Sequence, residues 1–211
     1  MAFLANSLYS NQAKKMIKRL FDIIFSFLGL VIALPVILII AVLIKKEDKG
    51  PVFYRGKRAG KNNLVFKMFK FRTMVVNADK IGGPSTSADD SRLTKIGKFL
   101  RAHNLDELPQ LIDVFRGKMS FVGPRPEVIS EVKTYPQEIK EIILSVKPGM
   151  TDLATLADLH EEEILRGAKD PHQVYREKIK PKKLKLAVEY VQKRSFFLDI
   201  KILIKTVLIA L

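Results

Sequence analysis

An apolar run near the N-terminus limits the folds open to this chain more than any other feature. The run covers residues 20–44, LFDIIFSFLGLVIALPVILIIAVLI, and its one charged residue is Asp22. As a helix it would be about 37 Å long, which exceeds the hydrocarbon core of a bilayer, about 30 Å. It is too long for a cleaved signal peptide, and no small-residue cleavage site follows it. The run therefore predicts a membrane-embedded segment.

Whether that segment crosses the bilayer depends on its proline and its flanks. Pro35 lies just past the middle and favours a bend after Leu34, because proline interrupts helical hydrogen bonds. The positive-inside rule places both flanks in the cytoplasm, because both are basic. The flanking residues are Lys14, Lys15, Lys18 and Arg19 before the run and Lys45, Lys46 and Lys49 after it. These features suggest a re-entrant helix–break–helix anchor and fit a kinked spanning helix equally well.

Length, charge and cysteine content narrow the organisation of the rest. The 211 residues fit a membrane segment over residues 1–49 and one domain over residues 50–211. The chain has no cysteine, which excludes disulfides and thiolate metal sites. The formal net charge of +15 predicts an anionic partner, and nucleic acid, anionic lipid and phosphorylated substrates all qualify.

Beyond the membrane segment, the pattern indicates an α+β fold that is mainly helical. Residues 51–54 and 64–69 are strand-like and joined by a turn-rich segment, which predicts a small β-hairpin. Residues 137–146 and the segments after Asp170 and Pro181 are predicted to be helical. The last segment, residues 196–211, is apolar with interspersed charges and too short to span. It predicts an amphipathic helix at the membrane interface or against the hairpin.

Residues 99–127 carry the strongest chemical signal. They place the adjacent carboxylates Asp106 and Glu107 between Arg101 and Arg125. Prolines on both sides of Arg125 hold its backbone extended, so its guanidinium is rigidly presented and suited to a phosphate. An ordinary loop is the alternative for this proline-rich segment.

The two carboxylates are expected at a helix start. Pro109 is tolerated only in a first turn, so the helix is predicted to begin near residues 105–106 and to end at Gly117. There the helix dipole would keep a carboxylate ionised, as a nucleophile or a metal ligand requires. The alternative is structural: Asn104 and Glu107 have the spacing of a capping box.

Other charged motifs are less specific. Lys70 and Arg72 form a pair of cations that either face a substrate phosphate or lie solvated beside lipid. Asp89 and Asp90 are interpreted as caps or turn residues rather than metal ligands. His160 has no second histidine at metalloprotease spacing, and the acidic residues 161–163 are predicted to be a solvated helix face.

The segment around the carboxylates resembles the bacterial monotopic phosphoglycosyl transferases. Their pattern is close to R-x-x-S-L-D-E-L-P-Q-L-x-N-V-x-x-G-x-M-S-x-V-G-P-R-P, and the chain matches it with two visible changes, Asn104 for Ser and Asp113 for Asn. Residues 70–74 and 147–151 resemble further family motifs. The resemblance covers most of the chain and omits the extra N-terminal membrane helices of larger relatives, so a minimal form is expected.

The resemblance implies an activity. Family members transfer a sugar 1-phosphate from a UDP-sugar to a polyprenyl phosphate such as undecaprenyl phosphate, release UMP and begin surface glycan assembly. Carried onto this chain, Asp106 would form a covalent phosphosugar intermediate, with Glu107 as base or metal partner. Mg²⁺ would bridge Asp106 and the diphosphate. Four cations would neutralise phosphate charge: Arg101, Arg125, Lys70 and Arg72.

The resemblance also implies a place in the cell. It predicts a monotopic protein on the cytoplasmic face of the bacterial inner membrane, in contact with membrane lipid, not bound to nucleic acid and able to form a homodimer. Two other functions remain open: a lipid-linked glycosyltransferase that moves the sugar without its phosphate, and a non-enzymatic, basic membrane adaptor.

Overall fold

The computed structural model describes residues 2–81, 90–157, 164–165, 167–168 and 170–210. Asp89, His160 and residues 161–163 lie outside this part of the chain, so the expectations for them stay predictions. Most of the described chain is helical, and its strands are two or three residues long. The prediction of a mainly helical α+β chain is confirmed.

The N-terminal helix, α1, is the longest described element. It runs from Ala2 to Asp48 and continues through Pro35, so the predicted break does not divide it into two elements. Within the described residues, its part from Gln12 to Asp48 is the one helix long and apolar enough to cross a membrane. Many of its large apolar side chains are exposed, among them Ile24, Phe25, Phe27, Leu28, Val31, Ile32, Leu38 and Ile39.

The predicted hairpin forms two nested strand pairs instead of one. The antiparallel pairs are β1 (Phe53–Tyr54) with β4 (Lys70–Phe71) and, inside them, β2 (Lys57–Ala59) with β3 (Val65–Lys67). The predicted second strand, residues 64–69, therefore divides between β3 and the residues leading to β4. As a result, Lys70 begins a strand of its own.

The remaining helices surround these strands. In chain order they are α2 (Lys95–Ala102), α3 (Gln110–Phe115), α4 (Ile129–Val132), α5 (Gln137–Leu144), α6 (Leu153–Leu156), α7 (Pro171–Val174), α8 (Lys180–Lys193) and α9 (Phe196–Ala210). The predicted start at Asp170 is confirmed, because its carboxylate caps α7 by accepting from two backbone N–H groups at 3.0 Å. A π-helical turn, Tyr175–Ile179, joins α7 to α8.

The other elements pack along α1 between Arg19 and Glu47. Arg19 donates to two carbonyls at the C-terminal end of α3, both at 2.7 Å. Glu47 accepts from the first backbone N–H of α2 at 2.8 Å. Each charge therefore complements the dipole of the helix end it meets. Between these ends, Ile44 is buried with Phe71 and Leu100.

A close backbone approach fixes the start of the loop that carries Arg125. Strand β5 (Ser120–Val122) pairs in parallel with β6 (Gly149–Thr151). Just beyond β5, a Cβ added to Gly149 would lie 2.1 Å from the backbone nitrogen of Gly123. Position 149 therefore requires glycine because there is no space for a side chain.

We expect Gly149→Ala to destabilise the protein by about 3 kcal/mol or more, because the clash involves backbone atoms that cannot turn aside. The matched control is Gly167→Ala, where φ is +69° and no atom lies within 4 Å of the added Cβ. Backbone strain alone should limit the control to about 1 kcal/mol. Urea unfolding in detergent micelles measures both, and equal losses would contradict the packing argument.

Candidate active site

Asp106 and Glu107 lie in a short turn that precedes a helix. Leu105–Glu107 is a 3₁₀ turn, and α3 begins only after Pro109, so the carboxylates lie before the helix rather than in its first turn. The predicted end of the helix is confirmed, since Gly117 has φ +75°. The capping-box alternative is wrong, because Asn104 has φ +55° and its side chain makes no cap hydrogen bond.

Glu107 brings together cations from two distant segments. Lys70 Nζ, on β4, lies 2.7 Å from Glu107 Oε1. The guanidinium of Arg125, on the loop after β5, hydrogen-bonds the same oxygen. Lys70 Nζ is also 3.5 Å from Asp106 Oδ2. The structure therefore places four of the predicted site residues in one cluster or beside it: Asp106, Glu107, Lys70 and Arg125.

The pKa values of the two neighbouring carboxyls are shifted in opposite directions. Burial alone would raise the pKa of Glu107, but Arg125 and Lys70 hold that pKa well below its usual range. Burial raises the pKa of Asp106 above its ordinary value, against the weaker opposing effects of Lys70, Arg101 and Arg125. The dipole of α3 therefore does not determine the pKa of Asp106, because Asp106 lies in the 3₁₀ turn before α3 and is only 7% exposed.

The carboxylate of Asp106 has fewer cation partners than that of Glu107. Among the described residues, Asp106 accepts no side-chain hydrogen bond, and its one ion pair is the looser contact with Lys70 at 3.5 Å. Glu107, in contrast, is shared between two cations. A carboxylate held near positive charge without being tied to it can act as a nucleophile or bind a cation. Of the two carboxylates, that of Asp106 is therefore the less engaged by cations.

The structure divides the other two predicted cations. Arg101, on α2, is close enough to Asp106 to lower its pKa, which places it at the edge of the cluster. Arg72 is not brought to the cluster. Its guanidinium forms two hydrogen bonds with Asp48 of α1, at 2.5 and 2.6 Å, and others with backbone carbonyls. The two cations on either side of Phe71 thus serve different purposes, Lys70 at the site and Arg72 in the fold.

Two aspartates missed in the sequence position the site. Asp113 is buried and accepts from the backbone N–H of Phe69 at 2.7 Å, next to Lys70. Asp152 caps α6 and accepts from the backbone N–H of Arg125 at 3.3 Å. The spacing of Asp152 ahead of a helical segment was the one available signal, because aspartate favours N-caps.

The remaining acidic motif is structural where it can be described. Asp90 forms hydrogen bonds with Arg92 at 2.6 and 2.9 Å, which confirms its interpretation as a turn residue. Within the described ranges, no three His, Cys, Asp or Glu side chains converge as a metal site.

The chain is similar in sequence to bacterial proteins whose names refer to sugar-phosphate transfer or exopolysaccharide production. Residues 13–211 match the family model described as bacterial sugar transferase. The chain is 40% identical over 201 residues to the UDP-glucose:undecaprenyl-phosphate glucose-1-phosphate transferase of Klebsiella pneumoniae, covering 93% of this chain and 40% of that protein. It is 34% identical over 206 residues to the exopolysaccharide production protein ExoY of Sinorhizobium fredii, covering 90% of this chain and 83% of that protein.

A third relative is matched over a shorter stretch. The chain is 47% identical over 111 residues to a putative undecaprenyl-phosphate N-acetylgalactosaminyl 1-phosphate transferase of Bacillus subtilis, covering 53% of this chain and 62% of that protein. The chain spans less than half the length of the Klebsiella protein, for which the covered share is 40%.

We expect neutral substitutions of the two carboxyls to change stability in opposite directions at pH 7. Folding lowers the pKa of Glu107, so its charge stabilises the fold above the pKa of an unfolded carboxyl, and this stability is lost as the pH falls through the folded pKa. Glu107→Gln should cost about 2 kcal/mol at pH 7, with the loss shrinking below about pH 4.

Folding raises the pKa of Asp106, so its charge opposes folding at neutral pH. Asp106→Asn should therefore stabilise the protein at pH 7, and the gain should disappear at acid pH. Urea unfolding at a series of pH values measures both variants. Destabilisation by both substitutions at pH 7 would contradict the assignment of opposite pKa shifts.

Proposed function

The chain belongs to the bacterial sugar transferase family, and from this we propose that it transfers a sugar 1-phosphate from a UDP-sugar to undecaprenyl phosphate and releases UMP. The names of the Klebsiella and Bacillus relatives support a sugar-phosphate transfer to this lipid. The observation that carries the proposal is the contrast between Glu107, which binds two cations, and its neighbour Asp106, whose carboxylate is available beside them.

In the proposed reaction, an oxygen of Asp106 attacks the phosphorus that bears the sugar. The bond from this phosphorus to the bridging oxygen of the diphosphate breaks, and UMP leaves with the electron pair. An anionic oxygen of the lipid phosphate then attacks the acyl phosphate and releases the carboxylate. Neither displacement requires a proton transfer, so the reaction depends on positioned positive charge.

The cluster supplies that charge. Lys70 and Arg125 are held side by side by Glu107, where they can contact phosphate oxygens, and Arg101 lies nearby. A carboxylate with a pKa as low as that of Glu107 is a weak base. We therefore assign Glu107 to holding the two cations in place, rather than to general-base catalysis.

We also infer that Asp106 takes part in binding Mg²⁺. This ion is commonly held by one or two protein carboxylates together with substrate phosphates, and the available carboxylate of Asp106 fits that arrangement. When bound, Mg²⁺ would neutralise charge on the diphosphate. Glu107 is less suited as a ligand, because the oxygen that contacts Lys70 also contacts Arg125.

We propose that α1 is re-entrant and that the protein lies on the cytoplasmic face of the inner membrane. Arg19 and Glu47, which both contact the rest of the chain, are separated by about 42 Å of helix. A helix crossing a bilayer core of about 30 Å would place these contacts on opposite sides, and one polar body cannot occupy both. Exposed apolar residues on α9 support an interfacial position: Phe197, Ile204, Val207, Leu208 and Ile209.

The covalent step predicts a mass increase. We expect purified protein incubated with Mg²⁺ and UDP-glucose or UDP-N-acetylgalactosamine, without lipid acceptor, to gain one sugar phosphate by intact mass spectrometry. Asp106→Asn should gain none, because it lacks the nucleophile. The matched control is Asp170→Asn, which replaces the aspartate that caps α7, outside the cluster, by an equally good capping residue and should still form the adduct.

Other outcomes of the same experiment distinguish the alternatives. Lipid-dependent UMP release without any adduct would exclude the two-step mechanism in favour of direct attack by the lipid phosphate. Release of UDP in place of UMP would indicate a glycosyltransferase. Absence of any turnover across a wider panel of UDP-sugars would favour the membrane adaptor.

The re-entrant geometry predicts labelling from one side only. The chain has no cysteine, so Lys15→Cys and Lys46→Cys each introduce a single thiol at an exposed position. A membrane-impermeant maleimide should label both variants in inside-out vesicles and neither in spheroplasts. Labelling of the two positions from opposite sides would show that α1 spans the membrane.

A further inference from the structure

A polar cluster at the end of β5 plays no part in the proposed reaction. The carbonyl of Val122 accepts a hydrogen bond from Lys18 Nζ at 3.0 Å. Lys18 Nζ also donates to Tyr190 Oη at 3.2 Å and to the carboxylate of Asp199. Tyr190 Oη lies 2.7 Å from Asp199 Oδ1 and 3.1 Å from the Val122 carbonyl. We call these four residues the Val122 cluster.

Lys18 is the central hydrogen-bond donor of the Val122 cluster. Its ammonium has three N–H groups and three acceptors around it. Tyr190 has one hydroxyl hydrogen for two acceptors, and the charged Asp199 is the nearer one. Lys18 is therefore the donor that the Val122 carbonyl depends on.

The cluster joins three helices to one strand. Lys18 is on α1, Tyr190 on α8, Asp199 on α9 and Val122 at the end of β5. Tyr190 is 2% exposed and Asp199 is 5% exposed, so the carboxylate has lost its water and depends on these partners. A buried polar network that is fully satisfied rigidifies the elements it connects.

The backbone from Val122 to Arg125 links the position of the Val122 carbonyl to that of the active-site arginine. The N–H of Gly123 donates to a carbonyl of β6 at 3.1 Å, and the carbonyl of Pro124 accepts from β6 at 3.0 Å. Asp152 accepts from the N–H of Arg125 at 3.3 Å. Proline on each side of Arg125 stiffens the chain further. A displaced Val122 carbonyl would therefore displace the Arg125 guanidinium.

We propose that Lys18, together with Tyr190 and Asp199, is a positioning residue for Arg125. The Val122 cluster fixes the end of β5 and thereby the point at which Arg125 meets Glu107 and the substrate phosphate. This inference rests on the proposed function, in which Arg125 neutralises phosphate charge. On this proposal, the position of α1, which carries Lys18, helps to set the geometry of the active site.

A double-mutant cycle tests this coupling. Full-length protein in lipid nanodiscs is assayed for UMP release with UDP-glucose or UDP-N-acetylgalactosamine and undecaprenyl phosphate. Lys18→Met should reduce kcat/KM by about 10- to 100-fold in the wild-type background, because small displacements of a catalytic group are costly. In an Arg125→Ala background it should cause less than about a twofold further loss.

Two additional variants keep the test independent of misfolding. Tyr190→Phe retains the ring and Lys18 and removes only the hydroxyl, so it should lose about two- to fivefold, again only when Arg125 is present. Lys15→Met removes an exposed lysine from the same helix and should leave activity unchanged. The thermal unfolding midpoint of each variant is measured alongside.

The outcomes separate the two proposals. Equal losses with and without Arg125 would mean that the cluster supports only the fold, which overturns the inference. Wild-type activity in both Lys18→Met and Tyr190→Phe would overturn it as well. An inactive wild-type protein would instead overturn the proposed function, and the inference with it.

Discussion

The arrangement of this protein depends on charged groups near both ends of one apolar helix. Arg19 meets the exposed carbonyls at the end of α3, Glu47 meets the exposed N–H groups at the start of α2, and Asp48 meets the guanidinium of Arg72. Without these partners, the last carbonyls of α3, the first N–H of α2 and the charge of a buried arginine would each lose a hydrogen-bond or ion-pair partner. The helix that presents apolar side chains to its surroundings is therefore also the scaffold on which the site is assembled.

Within the site, environment rather than residue type assigns the chemistry. Asp106 and Glu107 are neighbours in the chain, yet one is buried without a tight partner and the other is gripped by Lys70 and Arg125. A single carboxylate could not perform both tasks, because the cations that it would need to hold would also mask it. In the proposed mechanism, the pair separates the reactive group from the group that organises the surrounding charge.

Local signals in the sequence predicted a considerable part of this arrangement. The long apolar helix, the helix end at Gly117 and the cap at Asp170 each depend on a few adjacent residues, and each is confirmed. Partners distant in the chain were not predictable. Lys18 and the Val122 carbonyl are separated by 104 positions, and no local pattern specifies that they meet.

The errors follow the same division. The carboxylates were expected inside a helix because Pro109 was assigned to its first turn, whereas the backbone forms a separate 3₁₀ turn before Pro109. Arg72 was grouped with Lys70 because the two are close in sequence. Lys70 faces the site, whereas Arg72 pairs with Asp48 of α1, a residue that only the tertiary structure brings close to it.

The shared oxygen of Glu107 has a consequence for turnover. With Asp106 and Glu107 beside Lys70, Arg125 and Arg101, the site carries little net positive charge before any nucleotide arrives. In the proposed reaction, an incoming diphosphate would compete with Glu107 for the same cations, so ground-state binding would be moderated. After cleavage of the diphosphate, Glu107 would pair with those cations again and help to expel the nucleotide. Such an arrangement would favour rapid exchange of ligands over tight retention, as the proposed two-step order requires of a site that must empty before a lipid phosphate can enter.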